Sequence, residues 1–239
     1  MRRNFPTYEN CFSVAPFRAY LRLMQIDVIS DTVCPWCYIG KRRLERALSL
    51  RPQIEFDVRW RPFQLDPTTP IEGVDRKVYM ERKFGSSEKI KPIHTALLKA
   101  GEDEGIAFAF EKITRTPNTL NSHRVIRWSH SLGLQDKLVE LLFHRYFIDG
   151  ADIGQIKVLA SIADEIGMDG ELVDELLNSD ADRESVERED TMARKIGING
   201  VPTFLIGGKV LVNGAQDAEH LVRIIDRVAA EGESAVATA

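Results

Sequence analysis

Two cysteines three positions apart, Cys34 and Cys37, lie where one hydrophobic period gives way to another. Before them, residues 25–30 are rich in β-branched side chains and predict a strand. Behind them, Pro35 suits the first turn of a helix. Up to Leu50, the residues Ile39, Leu44, Ala47 and Leu48 recur at helical spacing, with Lys41, Arg42, Arg43 and Arg46 as the wet side. Next, Ile54, Phe56, Val58 and Trp60 alternate with Glu55, Asp57, Arg59 and Arg61, a period of two that marks a half-buried strand. Strand, helix and strand in this order make a right-handed unit with parallel strands. Cys34-Pro35-Trp36-Cys37 is thereby fixed at the strand-to-helix turn.

Past residue 75 the helical period takes over and holds to residue 196. Leu134, Leu138, Leu141 and Leu142 share one face, as do Ile156, Leu159, Ala160 and Ala163. Gly167 is placed to end the second of these helices, and Asp169 to cap a short one carrying Leu172, Leu176 and Leu177. After Gly197 strands return: residues 203–206, the pair Gly207-Gly208 that signals a tight hairpin, then residues 209–212. Residues 217–231 close the pattern with Leu221, Ile224, Ile225 and Val228 on one helical face. The reading is an α/β fold with a large all-helical insertion between its β-α-β and β-β-α halves. Residues 24–66 and 197–231 form one domain and residues 67–196 the insertion. Residues 1–23 are expected to be a poorly ordered leader and residues 232–239 a flexible tail.

The chemistry follows from the turn. With Pro35 as the first helical residue, Cys34 occupies the cap, where amide hydrogens without intrahelical partners and the positive end of the helix dipole favour a thiolate. Cys37 follows one turn in, on the same face. Cys34 is the expected nucleophile and Cys37 the resolving thiol of a two-electron exchange with a substrate disulfide. A purely structural bridge across so short a loop would restrict the unfolded chain by only roughly 2 kcal/mol. A zinc site would need two more ligands, and neither a second C-x-x-C nor a close histidine pair is present, so no metal is expected. A second candidate site is Gly200-Val201-Pro202-Thr203, where a proline before a strand marks an edge, a strand start or a cis turn.

Composition bounds the partners. The 239 residues carry a net charge of −4 with both signs interspersed, which argues against nucleic acid and anionic lipid. No apolar run approaches the roughly 20 residues that span a bilayer. The opening Arg2-Arg3 is followed by Pro6, Glu9, Pro16, Arg18 and Arg22, so no export signal is read. Three cysteines, with Cys11 an unpaired bystander in the leader, fit a reducing compartment and predict a cytoplasmic protein.

The segments Ser30-Asp31-Thr32-Val33-Cys34-Pro35-Trp36-Cys37-Tyr38-Ile39-Gly40, Arg61-Pro62-Phe63, Pro117-Asn118-Thr119, Gly200-Val201-Pro202-Thr203-Phe204 and Gly214-Ala215-Gln216 resemble the DsbA family. They are most similar to its FrnE-like branch, related to 2-hydroxychromene-2-carboxylate isomerases and kappa-class glutathione transferases. The resemblance runs from about Gln25 to Val228. It implies a thioredoxin domain interrupted by a helical one, a cis Val201-Pro202 peptide facing the dithiol, and pairing of the Val201 backbone with an extended substrate. By the same resemblance Asn118, Gln216 and Asp217 help to hold glutathione, against the plainer readings of a helix cap and a solvated loop. Pro35, Trp36, Val201, Pro202, Asn118, Gln216 and Asp217 form the candidate substrate-contacting set.

The related isomerases and transferases carry serine where Cys34 stands and lack the Cys37 thiol, so the dithiol favours redox exchange. DsbA has histidine between its cysteines, whereas Trp36 supplies neither proton nor charge. Strong oxidising power is therefore not carried over, and His123, alone on its helix, is left outside the catalytic set. The expected partner is a protein or small-molecule disulfide, with no tightly bound cofactor and glutathione as a candidate substrate or reductant. Rival readings are a glutathione-dependent isomerase or transferase and a chaperone-like binding module. A homodimer is compatible with the sequence and not derivable from it.

Overall fold

The computed structural model describes residues 22–237. Cys11 and most of the leader lie outside the described residues. Strand β1 (Arg22–Ser30) leads into helix α1 (Pro35–Ser49) and strand β2 (Ile54–Pro62). The chain ends in the hairpin β5 (Thr203–Ile206) and β6 (Val210–Asn213), then helix α9 (Ala218–Ala237). One sheet joins the two ends in the order β2-β1-β5-β6. β1 runs parallel to β2, with Val28 opposite Trp60, and antiparallel to β5, with Val28 opposite Phe204.

Alternation along β1 sends Ile26 and Val28 into the main apolar core, together with Cys37, Tyr38, Leu44 and Ala47 of α1 and Leu221 and Ile225 of α9. Ile29, one position out of phase, packs on the other side with Phe63, Ala193 and Ile198. The α1 register is therefore set against one face of the sheet.

Between β2 and β5 lie α2 (Arg76–Phe84), α3 (Ser87–Asp103), α4 (Leu120–Ser129), α5 (Gln135–Phe147), α6 (Ile156–Glu165), α7 (Gly170–Leu177) and α8 (Arg183–Lys195). The predicted punctuation is in place. Gly167 adopts φ 98° after α6, Met168 N bonds Ala163 O at 3.0 Å, and Asp169 Oδ1 accepts from Leu172 N at 2.9 Å. The main core is continuous from the sheet through Tyr38 and Trp60 into Phe143 and Phe147 of α5. Tyr38 stacks on Phe143 with ring centroids 5.0 Å apart, and its hydroxyl donates to Glu140 at 2.8 Å. α5 thus steadies the first turn of α1.

Several details differ from the sequence reading. A two-stranded ribbon, β3 (Val74–Asp75) with β4 (Arg115–Thr116), sits within the helical stretch, too short to show an alternation. Lys41 is not on a wet face: it is 2% exposed, because α5 packs on α1 and presents Asp136 and Glu140 to its ammonium beside Glu45. Val173 and Leu177 form the buried side of α7, and Leu172 points to solvent. α9 continues to Ala237 through most of the stretch expected to be a tail, where its alanines are strong helix formers.

Candidate active site

β1 delivers the chain to a tight turn in which Cys34 N donates to Asp31 O at 3.0 Å, and Pro35 begins α1 where its missing N–H costs nothing. Cys34 is the N-cap, with extended backbone and no side chain capping the helix end. Cys37 N bonds Cys34 O at 3.0 Å. Both cysteines are free thiols. Cys34 is 4% and Cys37 1% exposed, whereas Trp36 between them is 39% exposed. The outer lip of the motif is therefore the indole, and the sulfurs lie below it.

Burial pushes the Cys37 thiol well up, and contact with Cys34 adds to the effect, while the Ser30 hydroxyl and the Asp31 backbone work the other way. The inner thiol is thereby biased toward its protonated form.

The second candidate segment comes to the same place. Cys34 Sγ donates to the Val201 carbonyl at 3.6 Å, and the Val201–Pro202 peptide is cis. Pro202 O accepts from Gly214 N at 2.8 Å, and Thr203 Oγ1 is held by Gly200 O and Asn213 Oδ1 at 2.9 and 3.0 Å. Gly40 of α1 permits the approach, since a Cβ there would stand 2.8 Å from Pro202 Cγ. Beside the dithiol, Val33 and Pro35 form one wall of a cavity of ≈ 70 Å³ whose lining mixes Leu65, Met80 and Phe84 with Arg76, Lys83 and His94.

The remaining candidate residues have partners within the fold. Asn118 Oδ1 accepts from Leu120 N and Gln64 Nε2 at 2.9 and 3.2 Å, and its amide donates to Thr69 O at 2.6 Å. Its polar atoms are engaged in joining the loop after β2 to the start of α4. Gln216 donates to Asn213 O at 2.8 Å, and Asp217 pairs with Arg43 at 2.9 Å. Gly214, two positions before Gln216, bonds Pro202 O, so this loop lies beside the cis peptide, while neither side chain hydrogen-bonds to a cysteine sulfur.

Sequence reasoning missed Ser30, Asp31 and Gly40 and set aside His123, whose ring reaches the Asp31 carboxylate. Asp31 had a signal in its position just before the motif; the others meet the site only through tertiary contacts. Among the described residues there is no cluster of His, Cys, Asp and Glu able to hold a metal ion, and no helix long and apolar enough to cross a membrane.

Comparison with known proteins places this geometry in context. A family model described as the DSBA-like thioredoxin domain matches residues 25–226. The chain is 26% identical over 196 residues to the protein YwbO of Bacillus subtilis (strain 168), across 80% of this chain and 91% of that one. The crystal structure of a probable DsbA oxidoreductase from Streptomyces coelicolor superposes with a TM-score of 0.80 at 27% identity, covering 87% of this chain and 91% of that one. A 2-hydroxychromene-2-carboxylate isomerase has the same fold, with a TM-score of 0.68 at 16% identity over 88% of this chain and 98% of the other.

Proposed function

The chain belongs to the family of DSBA-like thioredoxin domains, and from that premise we propose that it is a thiol–disulfide oxidoreductase working through Cys34 and Cys37. In the reducing direction the Cys34 sulfur attacks one sulfur of a substrate disulfide. The substrate S–S bond breaks, one half leaves as a thiolate, and the other half remains on Cys34 as a mixed disulfide. Cys37 then attacks Cys34 Sγ, closes the internal disulfide and releases the second half. Oxidation of a dithiol substrate is the reverse.

The observation that carries this reading is the convergence of three elements on one sulfur: Cys34 as the N-cap of α1, the Val201 carbonyl 3.6 Å from its Sγ, and Cys37 buried one turn behind. A nucleophile only 4% exposed is reached by a disulfide laid along the Val201 edge. An extended peptide there would borrow the Val201 backbone as a short added strand. The cavity beside Pro35, lined by apolar side chains together with Arg76, Lys83 and His94, offers room for a group next to the substrate cysteine. Glutathione enters the proposal as a small-molecule substrate or as the reductant. Cytoplasmic residence is proposed from the cysteine usage, three in 239 residues with two of them in the motif.

The test is trapping. Cys37→Ser, added to cell extract, should accumulate partners bonded to Cys34 and released by reductant, and Cys34→Ser should capture nothing. Full turnover by Cys37→Ser would instead point to one-thiol glutathione chemistry of the isomerase or transferase kind. Unchanged holding of unfolded clients by the double Cys→Ser protein, with no disulfide reduction by the parent, would point to a binding module.

A further inference from the structure

Charge is spread unevenly along the chain. In a protein of net charge −4, residues 76–91 hold six cations, Arg76, Lys77, Arg82, Lys83, Lys89 and Lys91, against Glu81 and Glu88 alone. They belong to α2 and the start of α3. Among the described residues only Arg82 of the six is ion-paired, to Asp66 at 3.1 Å. By contrast Arg61 meets Asp27 at 2.6 Å, and Arg194 meets Asp190 at 2.9 Å. Lys77, Lys83, Lys89 and Lys91 are exposed, so the excess charge faces solvent.

Two of these cations border the dithiol. Arg76 and Lys83, which share one face of α2, line the cavity whose other wall is Val33 and Pro35, the chain neighbours of Cys34. The Arg76 guanidinium donates to the Thr116 and Tyr146 hydroxyls, at 3.4 and 3.5 Å. Lys83 Nζ donates to the Tyr79 hydroxyl at 2.8 Å and lies 5.2 Å from the centroid of that ring. These partners are neutral, and both charges stand uncompensated. His94, in the same lining, is held below its ordinary value by burial and then by the Arg76 charge, so it adds no cation at neutral pH.

Resting on the dithiol assignment above, we propose that α2 and the start of α3 form a docking surface for an acidic stretch of the polypeptide that carries the substrate disulfide. With the reacting sulfur at Cys34, carboxylates close to it along the substrate meet Arg76 and Lys83, and those further along meet Lys77, Lys89 and Lys91. The cavity of ≈ 70 Å³ holds no more than a small group, whereas the charge extends over all of α2 and beyond. α2 alone is about 13 Å long, a length that suits a chain of several residues rather than one small anion. Unpaired cations of one sign raise the encounter rate of an acidic partner, and salt screens the effect. Nucleic acid would meet the same charge, but the surface ends at a dithiol, whose chemistry is with sulfur.

Charged peptides test it. Three sequences, each with one cysteine blocked as a thiopyridyl disulfide and flanked by four Asp, four Ser or four Lys, are mixed with the reduced Cys11→Ser protein. Cys34 Sγ attacks the peptide sulfur, the peptide–pyridyl S–S bond breaks, and pyridinethione leaves with the electron pair and takes up the Cys34 proton. Its absorbance in stopped flow gives the rate. At low salt the Asp peptide should react about ten-fold faster than the Ser peptide, and the Lys peptide slower than either. In ~1 M salt the three should converge to within about two-fold. Lys77→Glu, Lys83→Glu and Lys89→Glu together should reverse the order of the Asp and Lys peptides. A preference that salt does not weaken, or an order unchanged by the triple substitution, overturns the proposal. Equal rates at low salt overturn it as well, and if an oligonucleotide then binds the parent and not the triple variant, the surface belongs to nucleic acid. Preference for oxidised glutathione over cystamine, with none among the peptides, overturns it in favour of a small anion. If the triple variant does not fold, the salt series on the parent decides. Should no peptide release pyridinethione, or should Cys34→Ser release it as fast, the dithiol assignment itself falls, an outcome distinct from these.

Discussion

Gly40 of α1 lies directly against the ring of Pro202, so that a Cβ added to it would meet Pro202 Cγ at 2.8 Å and Phe204 Cζ at 3.3 Å. Both neighbours belong to compact, buried groups rather than to the free end of a flexible side chain. Alanine at position 40 is worth about 1 kcal/mol to an isolated helix, but overpacking a filled site costs about 1–3 kcal/mol. Overpacking should win. Gly40→Ala is expected to lower the unfolding free energy by about 1 kcal/mol and to slow mixed-disulfide formation, because Val201 shifts with Pro202. Chemical denaturation and the rate at which the reduced protein releases thiolate from an added nitroaryl disulfide measure the two effects, and a stabilised variant of unchanged rate would refute the steric account.

Cys37 links stability to pH. Its burial, and next its contact with Cys34, raise the thiol in the folded protein. An acid raised in this way keeps its proton when folded and gives it up when unfolded, so the unfolded chain binds fewer protons and stability declines as pH climbs. The loss opens at the ordinary thiol value of about 8.5 and approaches ~1.4 kcal/mol per pH unit until the raised value is reached. Below about pH 10, where ordinary tyrosines begin to contribute, reduced protein should lose stability faster with pH than Cys37→Ser does. Parallel urea midpoints for the two proteins across that interval would contradict it.

Arg124 terminates a helix that is not its own. Its guanidinium donates to the carbonyls of Leu176, Leu177, Ser179 and Ala181 at 2.7–3.2 Å, and to Asn121 Oδ1 at 3.0 Å. Arg124→Met keeps much of the volume and strands those carbonyls. A loss of about 2–4 kcal/mol is expected, with exchange by the folded fraction unchanged. A loss below ~0.5 kcal/mol would show that solvent takes over the carbonyls.

Lys41 and its carboxylates should respond unequally. The ammonium is almost wholly enclosed, while Glu45 and Asp136 keep access to water and Glu140, whose Oε2 is buried, keeps Tyr38 and Arg42 as partners. Lys41→Met lets the carboxylates rehydrate and should cost less than about 1 kcal/mol. Asp136→Asn with Glu140→Gln leaves a buried cation poorly paired and should cost about 3 kcal/mol. Urea titration decides between them, and the reverse ranking would show that the carboxylates rather than the lysine carry the penalty.

Legibility in the sequence followed the physics of each element. The alternation in β2 and the glycines of the hairpin are local signals, and β2 and the hairpin stand where they were read. α4 offered no such signal, because it is buried on all sides over Leu120 to Ile126, with Asn121, Ser122, His123 and Arg124 among the enclosed residues. A face satisfied by hydrogen bonds across the fold cannot be told from a wet face by hydropathy. The same reasoning explains Lys41, whose burial depends on carboxylates about a hundred positions away. At the site, the dithiol was legible from its spacing and its place after a strand. Asp31 stands just before the motif, but its meeting with His123 was not legible, since it requires the loop after β1 and α4 to be packed together.

The strand order carries a last consequence for how the molecule comes into being. β1 is flanked on one side by a neighbour finished within the first third of translation and on the other by one that begins only at Thr203. Until the ribosome has delivered nearly the whole chain, Val28 has no Phe204 to face, and a newly made dithiol stands beside an open backbone edge. A message truncated before that point would yield a polypeptide that owns both sulfurs and lacks the half of the sheet that guides a guest to them.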